Sequence, residues 1–159
     1  MPLANGLVTD VTVSIEGLSL ERDGVGWRLV GEAADGFGLV NDYLSYLADR
    51  NYSPRTIRSY GFGLLAFCRW LSAEGIGLSA VSTDVLLRFL AACRTERVSG
   101  RLSGPNVVRL DDGRRADSLS PATINLRLAA VSGLFSFWSM RDPDAPDPRA
   151  PKMTWVHWV

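Results

Sequence analysis

Histidine, lysine and cysteine are nearly missing from this 159-residue chain, and each scarcity closes off a class of chemistry. The single histidine, His157, stands near the C-terminal end, so a Ser-His-Asp or Cys-His nucleophilic site is not expected. Two cysteines, Cys68 and Cys93, are too few for a disulfide framework. Each stands among apolar residues of an expected helix and reads as a small buried side chain. A metal site needs clustered ligands, and no such cluster exists in the sequence. No G-x-x-x-x-G-K-[ST] phosphate loop occurs. These gaps leave no expected catalytic residue, metal, cofactor or small-molecule substrate. Long apolar runs are also missing, so no membrane helix is expected. The start, Met1-Pro2-Leu3-Ala4-Asn5-Gly6, lacks the basic-then-apolar pattern of a secretory signal, which makes a cytoplasmic location the expectation.

Net charge is absent too. Seventeen basic residues balance 17 acidic ones, so the total does not advertise nucleic acid. The distribution is uneven, however. Residues 1–36 carry an excess of acid. Residues 50–73 hold Arg50, Arg55, Arg58 and Arg69 and no acid, and residues 88–115 hold seven arginines against Glu96, Asp111 and Asp112. Such segments form local basic patches on a neutral chain. Lys152 is the only lysine. Arginine suits bidentate phosphate and guanine contacts, although a GC-rich coding sequence favours arginine over lysine equally well.

What the chain does have is a core. An apolar content of 47% is that of a globular protein. Val11-Thr12-Val13-Ser14-Ile15 alternates like a strand, Asp23-Gly24 signals a turn, and Trp27-Arg28-Leu29-Val30 is a candidate returning strand. The N-terminal part is therefore a short hairpin or a loosely held arm. Gly31 to Gly38 reads as a linker. Four helical stripes follow, at about Leu39–Arg50, Ser53–Ala73, Ser82–Arg97 and Ser120–Met140. In the second, Ile57, Tyr60, Leu64, Phe67 and Leu71 step by three and four; in the fourth, Ile124, Leu128, Val131, Phe135 and Trp138 do the same. The third directs Leu86, Phe89, Leu90 and Cys93 inward. Gly61 and Gly63 lie inside the second helix, where a bend is one outcome.

The second and fourth helices open alike, with Ser53-Pro54-Arg55-Thr56-Ile57-Arg58 and Ser120-Pro121-Ala122-Thr123-Ile124-Asn125. Serine is a good N-cap and proline suits the first helical position. Such ends point free amides and a positive dipole end outward, which favours phosphate. Off the apolar stripes lie Arg55, Thr56, Arg58, Ser59 and Arg69 on one helix, and Thr123, Asn125, Arg127 and Ser132 on the other. Arginine contacts phosphate or guanine, asparagine pairs with adenine, and Ser or Thr binds phosphate. A solvated helix face accounts for any one of them alone. Val98 to Leu119 is a long loop with Val107–Gly113 as a candidate hairpin edge, and prolines 143, 146, 148 and 151 mark a linker. Trp155 and Trp158 make the chain end apolar, as if something follows.

In order and spacing these segments resemble the core-binding, SAM-like domain of tyrosine recombinases, the phage-integrase family. The resemblance runs from Val40 to Pro148. It rests on Val40-Asn41-Asp42-Tyr43-Leu44-Ser45-Tyr46-Leu47, on Arg50-Asn51-Tyr52-Ser53-Pro54-Arg55-Thr56-Ile57-Arg58-Ser59-Tyr60, on Leu64-Leu65-Ala66-Phe67-Cys68-Arg69-Trp70-Leu71, and on the fourth helix from Ser120 to Phe135. It implies an all-α, orthogonal four-helix bundle that packs on one side of double-stranded DNA, here with a β-hairpin or irregular N-terminal extension. By position, Arg55, Thr56, Arg58, Asn125 and Arg127 would be contacts, with Ser53 and Thr123 supporting; Ser59 and Arg69 join them on the exposed face. Arg58 and Arg127 would then have to offer free guanidiniums on related surfaces. The implied organisation is an extension at 1–36, a DNA-binding domain at 37–141 with loop 98–119 inserted, and a linker at 142–159 toward a catalytic domain missing from these residues. Tyr43, Tyr46, Tyr52 and Tyr60 all lie in the helical region, and none fits the family's nucleophile. The implied role is non-catalytic DNA binding in site-specific recombination and integration, with other recombinase protomers as possible partners. The competing reading is a helical protein-interaction module without nucleic-acid binding, using Trp155 and Trp158 as contacts.

Overall fold

A computed structural model describes residues 17–97 and 118–149. Strands β1 (Ser19–Asp23) and β2 (Gly26–Val30) form an antiparallel hairpin in which Asp23 faces Gly26 and Ser19 faces Val30. The turn is Gly24-Val25, and Gly24 has φ +59°, a conformation that glycine adopts without a Cβ penalty. The expected first strand, Val11–Ile15, lies outside the described residues. The strand paired with Trp27–Val30 is instead Ser19–Asp23, because a two-residue turn places the partner immediately before it.

The expected linker at Gly31–Gly38 is a correction. Glu32–Phe37 is a 3₁₀ helix that buries Phe37, and the Ala33 amide donates to the Gly17 carbonyl. Burial of Phe37, packing of Ala33 and Ala34 and the Ala33–Gly17 hydrogen bond together order this glycine-rich segment. The hairpin is likewise no loose arm. Leu18 and Leu29 belong to the same apolar core as the helices. Asn41 of helix α1 (Gly38–Asp49) accepts from the Leu29 amide at 2.6 Å and donates to the Leu29 carbonyl at 3.1 Å, so one side-chain amide completes the free edge of β2.

Helix α1 buries Val40, Tyr43, Leu44 and Leu47, the stripe its spacing implies. It ends at Asp49, and two residues on the chain turns at Asn51, whose φ of +61° is one that asparagine tolerates. Helix α2 (Pro54–Glu74) is continuous and stops at left-handed Gly75, with the Ile76 amide bonded to the Leu71 carbonyl. Its two internal glycines are places of close approach. A Cβ on Gly61 would stand 2.9 Å from Leu20 of the hairpin, and one on Gly63 would stand 3.3 Å from the Arg127 Cα. After a 3₁₀ turn at Leu78–Ala80 comes α3 (Thr83–Thr95), capped by the Ser82 hydroxyl. It buries Val85, Phe89 and Cys93, while Leu86 and Leu90 are only half-buried. Phe89 meets Phe67 edge-on at 4.9 Å.

Helix α4 (Pro121–Arg141) packs against the other three helices and buries Ala130, Val131, Leu134, Phe135 and Phe137. Ile124, Leu128 and Trp138 of the expected stripe are half-buried. A central helix needs apolar residues on several sides, so a one-sided stripe underestimates it. Arg97 and Ser118 form an isolated antiparallel bridge at the base of the long loop; Val107–Gly113 lies outside the described residues. Residues 142–149 do not hang free as a linker. Pro148 is buried, Thr83 donates to its carbonyl, and Arg149 donates to the Ser132 carbonyl and to the Ser132 and Ser136 hydroxyls. The architecture is thus four helices with an N-terminal hairpin. No described helix is long and apolar enough to cross a membrane.

Candidate nucleic-acid interface

The two Ser-Pro helix starts have the same geometry. The Ser53 hydroxyl accepts from the Thr56 amide at 3.1 Å and lies 2.8 Å from the Thr56 hydroxyl. Ser120 repeats this with the Thr123 amide at 3.1 Å and the Thr123 hydroxyl at 2.9 Å. Ser53 and Thr56 therefore spend part of their hydrogen-bonding capacity on the cap, as do Ser120 and Thr123.

Gly63 marks where α2 meets α4, since the backbone of Arg127 and the side chain of Ala130 press on it. At about 100° per residue, Thr56 and Ser59 lie within roughly 40° of Gly63 on the helical wheel, and Thr123 lies as near to Arg127. All three are half-buried. The seam between the helices thus gathers Thr56, Ser59 and Thr123 on their neighbouring sides. Arg55 is exposed beside the seam, about 80° from Gly63. Arg58 is also exposed but leans toward the hairpin, with its guanidinium carbon 4.9 Å from the Phe62 ring centre and 5.9 Å from that of Trp27. Asn125 is exposed on the opposite flank, toward the end of α3.

Two of the expected contacts have partners within the chain. Arg69 donates from Nε and from an Nη to the Leu18 carbonyl, at 3.0 and 2.7 Å. It ties α2 to the start of the hairpin. Arg127 pairs with Glu96 at 2.6 Å and donates to the Cys93 sulfur at 3.7 Å, with its side chain only 14% exposed. Burial opposes its charge, but Glu96 and Cys93 outweigh that and hold its pKa above the ordinary value. The requirement that Arg58 and Arg127 both offer free guanidiniums is not met. Neither engagement was legible in the sequence, because each partner lies more than 30 positions away and on another element.

Arg94 was missed. It lines a cleft of about 790 Å³ between the end of α3 and the start of α4, with Pro121 and Asn125 also in its wall. The run of arginines from 88 to 115 was the available signal, but only the fold sets Arg94 near Asn125. Trp27 was read as a strand residue only, and no sequence signal links it to Arg58. Both cysteines are buried thiols, and burial pushes Cys68 up to about 12.

The model of the phage integrase N-terminal SAM-like domain matches residues 40–141. This chain belongs to that family. No curated protein and no solved structure matched it. Integrase SAM-like domains generally bind DNA. The matched span takes in α1 from its third residue, all of α2, α3 and α4 and both serine-capped starts, while the β-hairpin precedes it. The family match within these 159 residues is to the SAM-like domain alone.

Proposed function

We propose that this chain binds double-stranded DNA as the core-binding domain of a tyrosine recombinase, non-catalytically, in site-specific recombination and integration. Arg55 and Arg58 on the opening turns of α2 contact phosphate or base edges. Asn125 on α4 reads a base or phosphate from the other flank, and Thr56, Ser59 and Thr123 line the seam between. The observation that carries this reading is the family match over residues 40–141, combined with exposed Arg55 and Arg58 that form no ion pair among the described residues. Arg69 and Arg127, engaged with the Leu18 carbonyl and with Glu96, are left out of the proposed contacts. Other recombinase protomers are the further partners this role implies.

Fluorescence anisotropy with a labelled duplex at low salt tests the proposal. Binding that weakens in Arg55→Ala and in Arg58→Ala, each with a salt slope about one unit shallower, supports it. Absence of binding to any duplex at about 50 mM salt ends it.

A further inference from the structure

Arg58 is the one proposed contact whose guanidinium rests on aromatic rings from two different elements. Phe62, one turn further along α2, is 42% exposed and lies under the guanidinium at 4.9 Å. Trp27 of β2 adds a second ring at 5.9 Å, and the two rings meet at 6.0 Å with their planes 53° apart. Trp27 lies outside the family match, which begins at residue 40. A guanidinium stacks through its faces, whereas its N–H donors lie in its plane. Contact with two rings narrows the orientations that a long side chain explores, and wherever that contact is face-on the in-plane N–H donors stay available. An arginine held this way loses less freedom when it meets a phosphate.

The hairpin carrying Trp27 is itself held at several points. Asn41 pairs with both backbone groups of Leu29, Arg69 holds the Leu18 carbonyl, and Leu20 fills the space left by Gly61. Trp27 is opposite Arg22 in the register, next to the turn, so the turn end of the hairpin lies beside the opening turns of α2. Arg69 and Gly61 thus acquire a use that neither has as a DNA contact: they seat the hairpin.

We propose that Trp27 is a positioning residue for Arg58, so that the hairpin preceding the matched domain takes part in DNA binding by presenting one arginine. The inference rests on the DNA-binding reading above. A double-mutant cycle on the full chain separates the two, with Trp27→Leu, Arg58→Ala and the combination titrated against a labelled duplex at several salt concentrations. Trp27→Leu lowers affinity about two- to fivefold, the size of an exposed cation–π contact, and Trp27→Phe recovers part of the loss. In the Arg58→Ala background Trp27→Leu costs nothing further. Equal losses in both backgrounds overturn the inference, because Trp27 then acts on DNA directly or through general stability. No loss from Trp27→Leu, or none from Arg58→Ala while the unaltered chain binds, also overturns it. Failure of the unaltered chain to bind overturns both readings. If Trp27→Leu does not fold by thermal melting, Trp27→Phe replaces it, with a smaller loss expected alone and no further loss in the Arg58→Ala background.

Discussion

Gly133 leaves room for the Tyr43 hydroxyl, and a Cβ there would clash with it. Tyr43 is buried and held between Tyr46 and Phe137, with ring centres at 6.4 and 5.4 Å, so it has little room to swing aside. Gly133→Ala is expected to cost about 1–3 kcal/mol in urea unfolding, the usual range for overpacking, even though alanine is the better helix former. Adding Tyr43→Phe should recover part of that loss. Arg127 invites a different test. Its bond to Glu96 joins the end of α3 to α4, and a hydrogen bond between charged groups contributes about 1.5–3 kcal/mol. Glu96 is 46% exposed, so screening reduces the cost of Arg127→Ala to about 1 kcal/mol. The variant should shift the urea midpoint and leave the salt slope of DNA binding unchanged. A slope shallower by one unit would mean that Arg127 leaves Glu96 to reach phosphate.

At the scale of elements, the hairpin depends on the helices. A two-stranded hairpin is marginal alone in water. Here its inner face enters the helical core through Leu18 and Leu29, and Asn41 closes one edge. Asn41→Ala strands a donor and an acceptor of Leu29, at a cost of about 1–3 kcal/mol. Asn41→Asp keeps an acceptor for the amide but sets a carboxylate against the carbonyl. Amide hydrogen exchange at Leu29 should accelerate in both variants; unchanged protection would mean that the core contacts alone hold the strand. The helices were legible to within a residue or two because caps, stripes and terminators agreed: Ser53-Pro54 and Ser120-Pro121 start α2 and α4, and Gly75 ends α2. The strand pairing was less legible. Val11–Ile15 carries the stronger alternation, but the turn at Gly24-Val25 selects the segment next to it.

Across the whole molecule, a net charge of zero gives no overall field to draw in a polyanion. Affinity for a duplex must come from where the arginines stand. Several of them are already engaged: Arg88 with Glu74, Arg141 with Asp42, Arg149 with Asp147 and Arg127 with Glu96. Two phosphate contacts, from Arg55 and Arg58, give a slope near −2 in log affinity against log salt. Raising salt from about 50 to about 200 mM should therefore weaken binding about tenfold, read by anisotropy. An affinity indifferent to salt would remove the guanidiniums from the interface.

The sequence alone determined the four helices, their capped starts and the exposure of Arg55, Arg58 and Asn125. Those features follow from periodicity and local hydrogen bonding, which act over a few residues. Tertiary structure decided which guanidiniums remain free, which glycines are points of contact, and that the hairpin sits against α2. Each of these depends on what a distant part of the chain brings alongside. An arginine on a polar face reads the same whether its partner is water, a carbonyl 51 residues away or a carboxylate 31 residues away.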